Sequence, residues 1–238
     1  MAGGVGLRRK LRLRVVTGGD AAHVTAHLKD DVLLRPALER WRGMRVTSAA
    51  SLYKFLVLAI VLQNATVRRS VNMLHALFER YSVRVRVDNR ELRAFWAPAA
   101  IAAASEDDLR ALRLGYRARS LKPVTDSFVS GEVDETAIRR LNLEAARREL
   151  LKLHGIGPAS VGYSLFEIFH HYDAFDSISP WEQRIYSRLL FDRDLVPADQ
   201  LLNEVRRRWR RWRTWPGTTY LRISSGGTGR SQSHGWQS

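Results

Sequence analysis

The stretch Leu150-Leu-Lys-Leu-His-Gly155-Ile-Gly-Pro-Ala-Ser-Val-Gly162 decides the fold. The apolar spacing before Gly155 predicts a helix, the Gly-Ile-Gly sequence predicts a tight turn, and Pro158 predicts that a second helix begins at once. We interpret residues 146–168 as a helix-hairpin-helix. Glycine lets the backbone approach a partner closely, and the free N–H groups that start the second helix favour a phosphate. The alternative is an ordinary helical hairpin in which Gly155 only ends the first helix.

The pattern on both sides of this motif is also helical. Apolar residues recur at three- and four-residue spacing from Ser48 to Trp212, which predicts an all-α body. Capping serines and glycines predict helix ends: starts at Ser105 and Ser179, stops at Gly115 and Gly131. The alternating run at residues 84–88 is either a short extended piece or a loop between helices.

Composition excludes several classes of protein. In 238 residues, 45% are hydrophobic and 26% charged, which is typical of a soluble globular protein. The longest apolar run, Phe55 to Leu62, is far shorter than the roughly 20 residues of a membrane span. The sequence has no cysteine, which excludes disulfides, thiolate zinc sites and iron–sulfur clusters. We expect a cytoplasmic protein, associated with the nucleoid if the source is prokaryotic.

The charge favours a polyanionic partner. Lys and Arg number 39 against 24 Asp and Glu, a formal net charge of +15, which suits nucleic acid or an anionic membrane. Arginine dominates this excess, and a GC-rich genome would produce the same bias. The run Arg206 to Arg213 could follow a phosphate backbone. We favour the alternative for its tryptophans, in which Trp209 and Trp212 pack on the core and the arginines are solvated.

Other stretches occur in the order that a known superfamily would require: residues 62–69, Leu114-Gly-Tyr-Arg-Ala-Arg119, and residues 173–175 followed by 184–188. Together with the hairpin, they resemble the helix-hairpin-helix (HhH-GPD) DNA glycosylases, which include endonuclease III and the oxoguanine glycosylases. The resemblance covers about Ser48 to Trp212. It implies an all-α, two-lobed fold in which the DNA crosses between the lobes.

This resemblance also implies a division of the chain. Residues 1–47 would be a basic segment that packs with the second lobe, and residues 48–215 would form the glycosylase-like region. Residues 216–238 change to a Gly- and Ser-rich composition, which predicts a disordered tail.

The resemblance assigns roles to the DNA-contacting residues. Gln63 or Asn64 would fill the gap that an extruded base leaves, and the alternative is a helix C-cap at a domain junction. Asn64, Arg69 and Arg117 would read the orphaned partner base, with Tyr116 as an aromatic wedge. The alternative places Tyr116 in the core and lets the arginines contact only phosphate or solvent.

Within the hairpin, the resemblance implies two sets of contacts. The DNA-binding set is Gly155, Ile156, Gly157 and Ser160. The backbone carbonyls expected to hold a monovalent cation are those of Leu151, Leu153 and Ile156. No other cofactor is expected, because the three histidines His154, His170 and His171 do not combine with carboxylates at ligand spacing.

Two departures from the family pattern concern chemistry. Ala159 stands where lyase-competent members carry a Schiff-base lysine, so we expect no lyase step by that route. Ser179 stands where the family has its catalytic aspartate. Asp176 is our first candidate for a replacement carboxylate; Glu182 is the second and also fits a capping box, whereas Asp173 fits a surface cap or ion pair.

These features favour a monofunctional base-excision glycosylase that hydrolyses the N-glycosidic bond of a flipped, damaged purine in double-stranded DNA. The alternative is a catalytically impaired module that recognises damaged or distorted DNA, with Ser179 as the sign of lost chemistry. A third hypothesis is a general nucleic-acid or ribosome-associated basic protein, which would bind lesion and intact duplex equally. The oligomeric state stays open.

Overall fold

A computed structural model describes residue 26, residues 28–40 and residues 51–214. The helices in those ranges are α1 Arg35–Arg40, α2 Leu52–Leu62, α3 Val67–Tyr81, α4 Pro98–Ala102, α5 Glu106–Leu109, α6 Ala118–Val129, α7 Glu135–Ile138, α8 Leu143–Leu151, α9 Pro158–Glu167, α10 Pro180–Phe191 and α11 Ala198–Trp209. A π-helical turn covers Arg110–Leu114, and 3₁₀ turns cover Gly115–Arg117 and Arg210–Trp212. The strands are β1 Val83–Val87 and β2 Arg90–Ala94. The predicted helical fold is confirmed.

The contacts divide the chain into two compact units, one of residues 48–170 and one that joins residues 1–47 to residues 171–238. In the first unit α2 is the central helix, because it packs against α3, α6 and α9. Five of its apolar side chains are completely buried: Leu52, Leu56, Val57, Ile60 and Val61. The sequence explains this position, since Lys54 is the only charged residue in α2.

A two-stranded hairpin interrupts the helices of the first unit. β1 pairs antiparallel with β2, so the extended interpretation of residues 84–88 is correct and the loop interpretation is wrong. β2 was not foreseen, because Arg90-Glu-Leu-Arg-Ala94 is short and rich in charge. Asp88 and Asn89 connect the strands with φ of 45° and 61°, the left-handed pair that a tight two-residue hairpin turn requires.

The second unit has its own core, formed within its described residues. Leu28 and Leu34 pack in one cluster with Val205, Trp209 and Trp212. Both tryptophans are buried, which confirms the prediction for Trp209 and Trp212. The expectation that the arginines of this run are solvated is wrong for Arg208 and Arg213, which pair with Asp31 and Asp176. Arg210 ends α11 with φ of 46°, and the following 3₁₀ turn returns Trp212 to the core.

The capping predictions hold at the residues concerned. Ser105 forms a capping box with Asp108, and Ser179 forms one with Glu182. Gly115 and Gly131 follow helical segments at φ of 59° and 78°. The predicted tail and most of the predicted basic segment lie outside the described residues. In the part of the chain that is described, no helix is long and apolar enough to cross a bilayer.

Candidate nucleic-acid interface

The hairpin between α8 and α9 carries the strongest sequence signal. Gly155 adopts φ of 75°, which few residues other than glycine accept, and Gly157 is the N-cap of α9. No side chain caps this helix, and Pro158 occupies its first turn without an N–H to satisfy. The N–H groups of Ala159 and Ser160, in the first turn of α9, therefore have no side-chain acceptor. An anion-binding helix terminus requires such free N–H groups.

A second constraint requires glycine at position 155, and the local sequence does not predict it. A Cβ added to it would lie 2.1 Å from Ser120 Oγ and 2.6 Å from Ser120 Cβ. Such distances are impossible, so only glycine lets the hairpin approach α6 this closely. Ser120 was missed by the sequence analysis because no motif marks a helix residue that merely leaves room for another backbone.

Gln63 connects the hairpin to two other segments. Its Nε2 donates to the Gly155 carbonyl at 2.8 Å. Its own carbonyl accepts hydrogen bonds from the Tyr116 hydroxyl, at 3.4 Å, and from Arg117 Nη2. The residue also ends α2, since its N–H donates to the Ile60 carbonyl at 3.3 Å. The backbone of Gln63 is thus a helix C-cap while its side chain contacts the hairpin, so the two interpretations do not exclude each other.

Tyr116 lies at the surface beside this network. It is 53% exposed, so the alternative that places it in the core is wrong. Asn64 Nδ2 donates to its hydroxyl at 3.5 Å, and Asn64 itself has φ of 44°. The left-handed backbone at Asn64 turns the chain sharply between α2 and α3, which brings an exposed amide next to an exposed aromatic ring.

Arg117 lies beneath the surface, and its predicted contact with the orphaned partner base stays a prediction. The residue is only 1% exposed, so it does not contact solvent as the alternative required. Its guanidinium lies over the Tyr116 ring, 4.6 Å from the centroid. Nη2 bonds to Gln63, whereas Nε and Nη1 have no hydrogen-bond partner among the described residues. A charged group buried with unsatisfied donors is costly in a free protein.

The other hairpin residues occupy defined places. Ile156 is buried, and its N–H donates to the Leu153 carbonyl at 3.1 Å. The carbonyls of Leu151, Leu153 and Ile156 belong to this turn, and neutral backbone oxygens suit a weakly held monovalent cation. Within the described ranges, no group of three His, Cys, Asp or Glu side chains could hold a metal ion.

The carboxylates considered for catalysis lie in the second unit. Asp176 Oδ1 is 3.5 Å from Arg206 Nη2 and 3.4 Å from Arg213 Nη2. These arginine partners were not foreseen, because they follow Asp176 by 30 and 37 residues. Its side chain is about one-third exposed, 32%.

Glu182 is more deeply buried than Asp176, at 7% exposure. Its Oε2 accepts hydrogen bonds from the Ser179 N–H at 2.9 Å and from the Ser179 hydroxyl at 2.6 Å. Ser179, at the position where the resemblance implies a catalytic aspartate, is therefore the N-cap of α10. The buried carboxylate of Glu182 lies within hydrogen-bond distance of Ser179.

No protein-family model matches the sequence. A curated relative, the DNA-3-methyladenine glycosylase of Bacillus subtilis (strain 168), is 21% identical over 148 residues, which are 62% of this chain and 49% of the relative. The chain thus spans about half the length of this relative.

Solved structures extend the similarity over most of the chain. The 8-oxoguanine glycosylase/lyase of Clostridium acetobutylicum, in complex with double-stranded DNA containing cytosine opposite 8-oxoguanine, matches with a TM-score of 0.71 and 18% identity. This match covers 87% of our chain and 71% of that protein. The 3-methyladenine DNA glycosylase of Archaeoglobus fulgidus matches with a TM-score of 0.72 and 19% identity, over 86% of our chain and 69% of that one. The chain therefore has the fold of the helix-hairpin-helix DNA glycosylases.

Proposed function

We propose that this protein is a DNA glycosylase of base-excision repair that hydrolyses the N-glycosidic bond of a flipped, damaged base. The observation that carries the proposal is the hydrogen bond from Gln63 Nε2 to the Gly155 carbonyl. It places an amide that can fill a vacated base position directly beside a hairpin with a free helix N-terminus. The exposed ring of Tyr116 lies in the same network.

The first partner of this site would be the DNA backbone. The N–H groups of Ala159 and Ser160 at the uncapped start of α9 would bind one phosphate, and the absence of a side chain at Gly157, where a Cβ would meet nothing within 4 Å, would let the strand approach. The net charge of +15 supports the same partner.

The proposed reaction is monofunctional. Position 159 is alanine, which has no amine to attack the sugar, so the hairpin cannot form a Schiff base there. Water would instead add to C1′ of the nucleotide as the C1′–N bond breaks, and the base would leave with a proton. The relatives that are named 3-methyladenine glycosylases and 8-oxoguanine glycosylase support purine lesions as the substrate class.

A carboxylate would stabilise the positive charge that develops on the sugar. Asp176 is the first candidate. It pairs with Arg206 and Arg213, so it would have to exchange these arginines for the charged sugar. Glu182 is the second candidate, because it is held beside Ser179 at the N-terminus of α10.

The test is incubation with duplexes that each carry one damaged base, followed by alkali to cleave abasic sites. We expect strand cleavage only after alkali, and only with a purine lesion. Asp176→Asn should remove turnover and leave lesion binding intact. Glu182→Gln is the matched variant, since glutamine can still accept from Ser179. Turnover that survives both substitutions would contradict a role for either carboxylate.

A second candidate function is lesion recognition without cleavage. It is favoured by Ser179, which cannot carry a negative charge, and by the arginine pairing of Asp176. The same duplex panel distinguishes it, since a recognition module would bind one lesion more tightly and release no base. Equal binding of lesion and intact duplexes would instead indicate a general nucleic-acid-binding protein.

The hairpin carbonyls of Leu151, Leu153 and Ile156 would hold a monovalent cation next to the bound phosphate. Its role would be to add positive charge at the turn, and no chemical step passes through it. Replacing KCl by tetramethylammonium chloride at equal ionic strength should weaken duplex binding. Equal affinity in the two salts would argue against the cation.

A further inference from the structure

A basic hollow of about 370 Å³ lies in the first unit, apart from the hairpin. We use the term basic hollow for the cavity lined by Thr66, Arg68, Arg69, Asn72, Met73 and Arg113. Its lining contains three guanidinium groups and no carboxylate. Met73, the one apolar residue of this lining, is buried.

The arginines of the basic hollow are not used by the fold. Among the described residues, Arg68, Arg69 and Arg113 form no ion pair with a carboxylate. Arginines elsewhere in the chain do, as in the contacts of Arg110 with Glu106 and of Arg84 with Glu91. Three unpaired cations around one concavity repel each other, so their convergence stabilises nothing in the protein alone.

Two local features add to this cost. Arg68 and Arg69 occupy the first turn of α3, where the helix dipole disfavours positive charge and no acidic residue is present. Arg113 has φ of 65° and ψ of 17°, a left-handed conformation that is unfavourable for residues other than glycine. A bound anion would reduce the repulsion between the guanidiniums and would also interact with the N-terminus of α3.

We infer that the basic hollow binds a phosphate group, and that its source is a backbone phosphodiester of the DNA. This inference rests on the proposed function. Arg68 and Arg113 would contact the phosphate oxygens, and Asn72 could donate a further hydrogen bond. The contact would position the DNA without reading sequence, which separates it from the partner-base role that the resemblance gives Arg69.

The test compares three variants in duplex binding between 50 and 300 mM KCl, with an undamaged duplex and fluorescence anisotropy. Arg68→Gln and Arg113→Gly should each weaken binding on the order of 8-fold at 0.1 M salt, and should reduce the salt slope by about 0.9. Arg90→Gln is the control. Arg90 is exposed and belongs to the β1–β2 hairpin, which follows the C-terminal end of α3; the 15 residues of α3 extend about 22 Å.

The Arg113→Gly variant distinguishes an effect on DNA affinity from an effect on stability. Glycine accepts φ of 65° without strain, so the melting temperature should stay the same or rise while DNA affinity falls. A lowered melting temperature would assign Arg113 to the fold. Unchanged affinity and slope in Arg68→Gln and Arg113→Gly, or an equal loss in Arg90→Gln, would overturn the inference and leave the glycosylase proposal standing.

A second readout works without DNA. Inorganic phosphate should raise the melting temperature of the unmodified chain, and Arg68→Gln should reduce that increase. If phosphate stabilises the chain but no duplex binds, the proposed function fails and the hollow accepts phosphate from another source. If phosphate has no effect and the variants bind duplex normally, the hollow binds no phosphate.

Discussion

At the scale of single residues, two constraints allow only glycine at position 155. It combines φ of 75° with a neighbouring Ser120 that occupies the space of any side chain. Gly157, two residues later, has neither constraint, since a Cβ there would meet nothing within 4 Å. Two glycines that look equivalent in the sequence therefore have different physical reasons to be glycine.

We predict that Gly155→Ala lowers the free energy of unfolding by about 2 kcal/mol or more, because both the left-handed backbone and the clash with Ser120 oppose a methyl group. Gly157→Ala is the matched control and should change it by less than about 1 kcal/mol. Urea denaturation of both variants measures the difference. Equal losses would mean that α6 moves away from the hairpin without cost.

The burial of Arg117 lowers the stability of the folded protein. Its guanidinium is 1% exposed and leaves Nε and Nη1 without hydrogen-bond partners in the described structure. Its contacts to the Gln63 carbonyl and the Tyr116 ring offset only part of the desolvation. Such a group is retained for function more readily than for folding.

We predict that Arg117→Met, which keeps most of the volume, leaves the free energy of unfolding unchanged or raises it by roughly 1 kcal/mol. Arg117→Ala should lower it by about 3 kcal/mol, because it creates a cavity. Thermal or urea unfolding tests both. A loss of more than about 2 kcal/mol in Arg117→Met would show that its polar contacts outweigh its desolvation.

At the scale of elements, Asp31 ties the segment that precedes α1 to α11. Its Oδ2 accepts from Arg208 Nε at 2.6 Å and from Trp209 Nε1 at 3.0 Å. Burial acts to raise the pKa of Asp31, but the hydrogen bonds from Arg208, Trp209 and the Leu33 N–H outweigh it and hold the pKa below the ordinary 3.8. The charged form of Asp31 is therefore the one that stabilises this contact.

This lowered pKa predicts an acid-sensitive contribution to stability. Above pH 3.8 the contribution is fully present, and it is lost as the pH falls through the folded-state pKa below that value. Asp31→Asn should therefore destabilise the chain by about 2 kcal/mol at pH 7 and by progressively less below pH 4. Urea midpoints from pH 7 to pH 2.5 test this. A constant difference across that range would exclude the ionised contact as its cause.

At the scale of the whole molecule, net charge sets the long-range attraction to the proposed DNA partner. A formal net charge of +15 gives a long-range attraction to DNA that depends on ionic strength and not on base sequence. Lesion recognition would come instead from the short-range contacts of Gln63 and Tyr116 and would depend little on salt.

We predict that the logarithm of the duplex association constant falls linearly with the logarithm of KCl concentration, with a slope steeper than about −4. A duplex with the cognate lesion should give a parallel line displaced to higher affinity, measured by anisotropy. Coincident lines for lesion and intact duplexes would favour the general nucleic-acid-binding hypothesis.

The sequence alone predicted the helical body, the hairpin at residues 146–168 and the capping boxes at Ser105 and Ser179. These features depend on local physics: the 3.6-residue period of apolar side chains, the conformational freedom of glycine, and hydrogen bonds between residues three apart. The burial of Trp209 and Trp212 was also predicted, but the reason differs for Trp212, because α11 ends at Trp209 and the 3₁₀ turn Arg210–Trp212 returns Trp212 to the core.

Only the tertiary structure decided which distant residues meet. The contacts of Gln63 with Gly155, of Gly155 with Ser120 and of Asp176 with Arg213 join positions 92, 35 and 37 residues apart. It also decided that Tyr116 is exposed and Arg117 buried, although both belong to one short motif. Packing between segments sets these outcomes, and the sequence of either segment by itself carries no information about its neighbour in space.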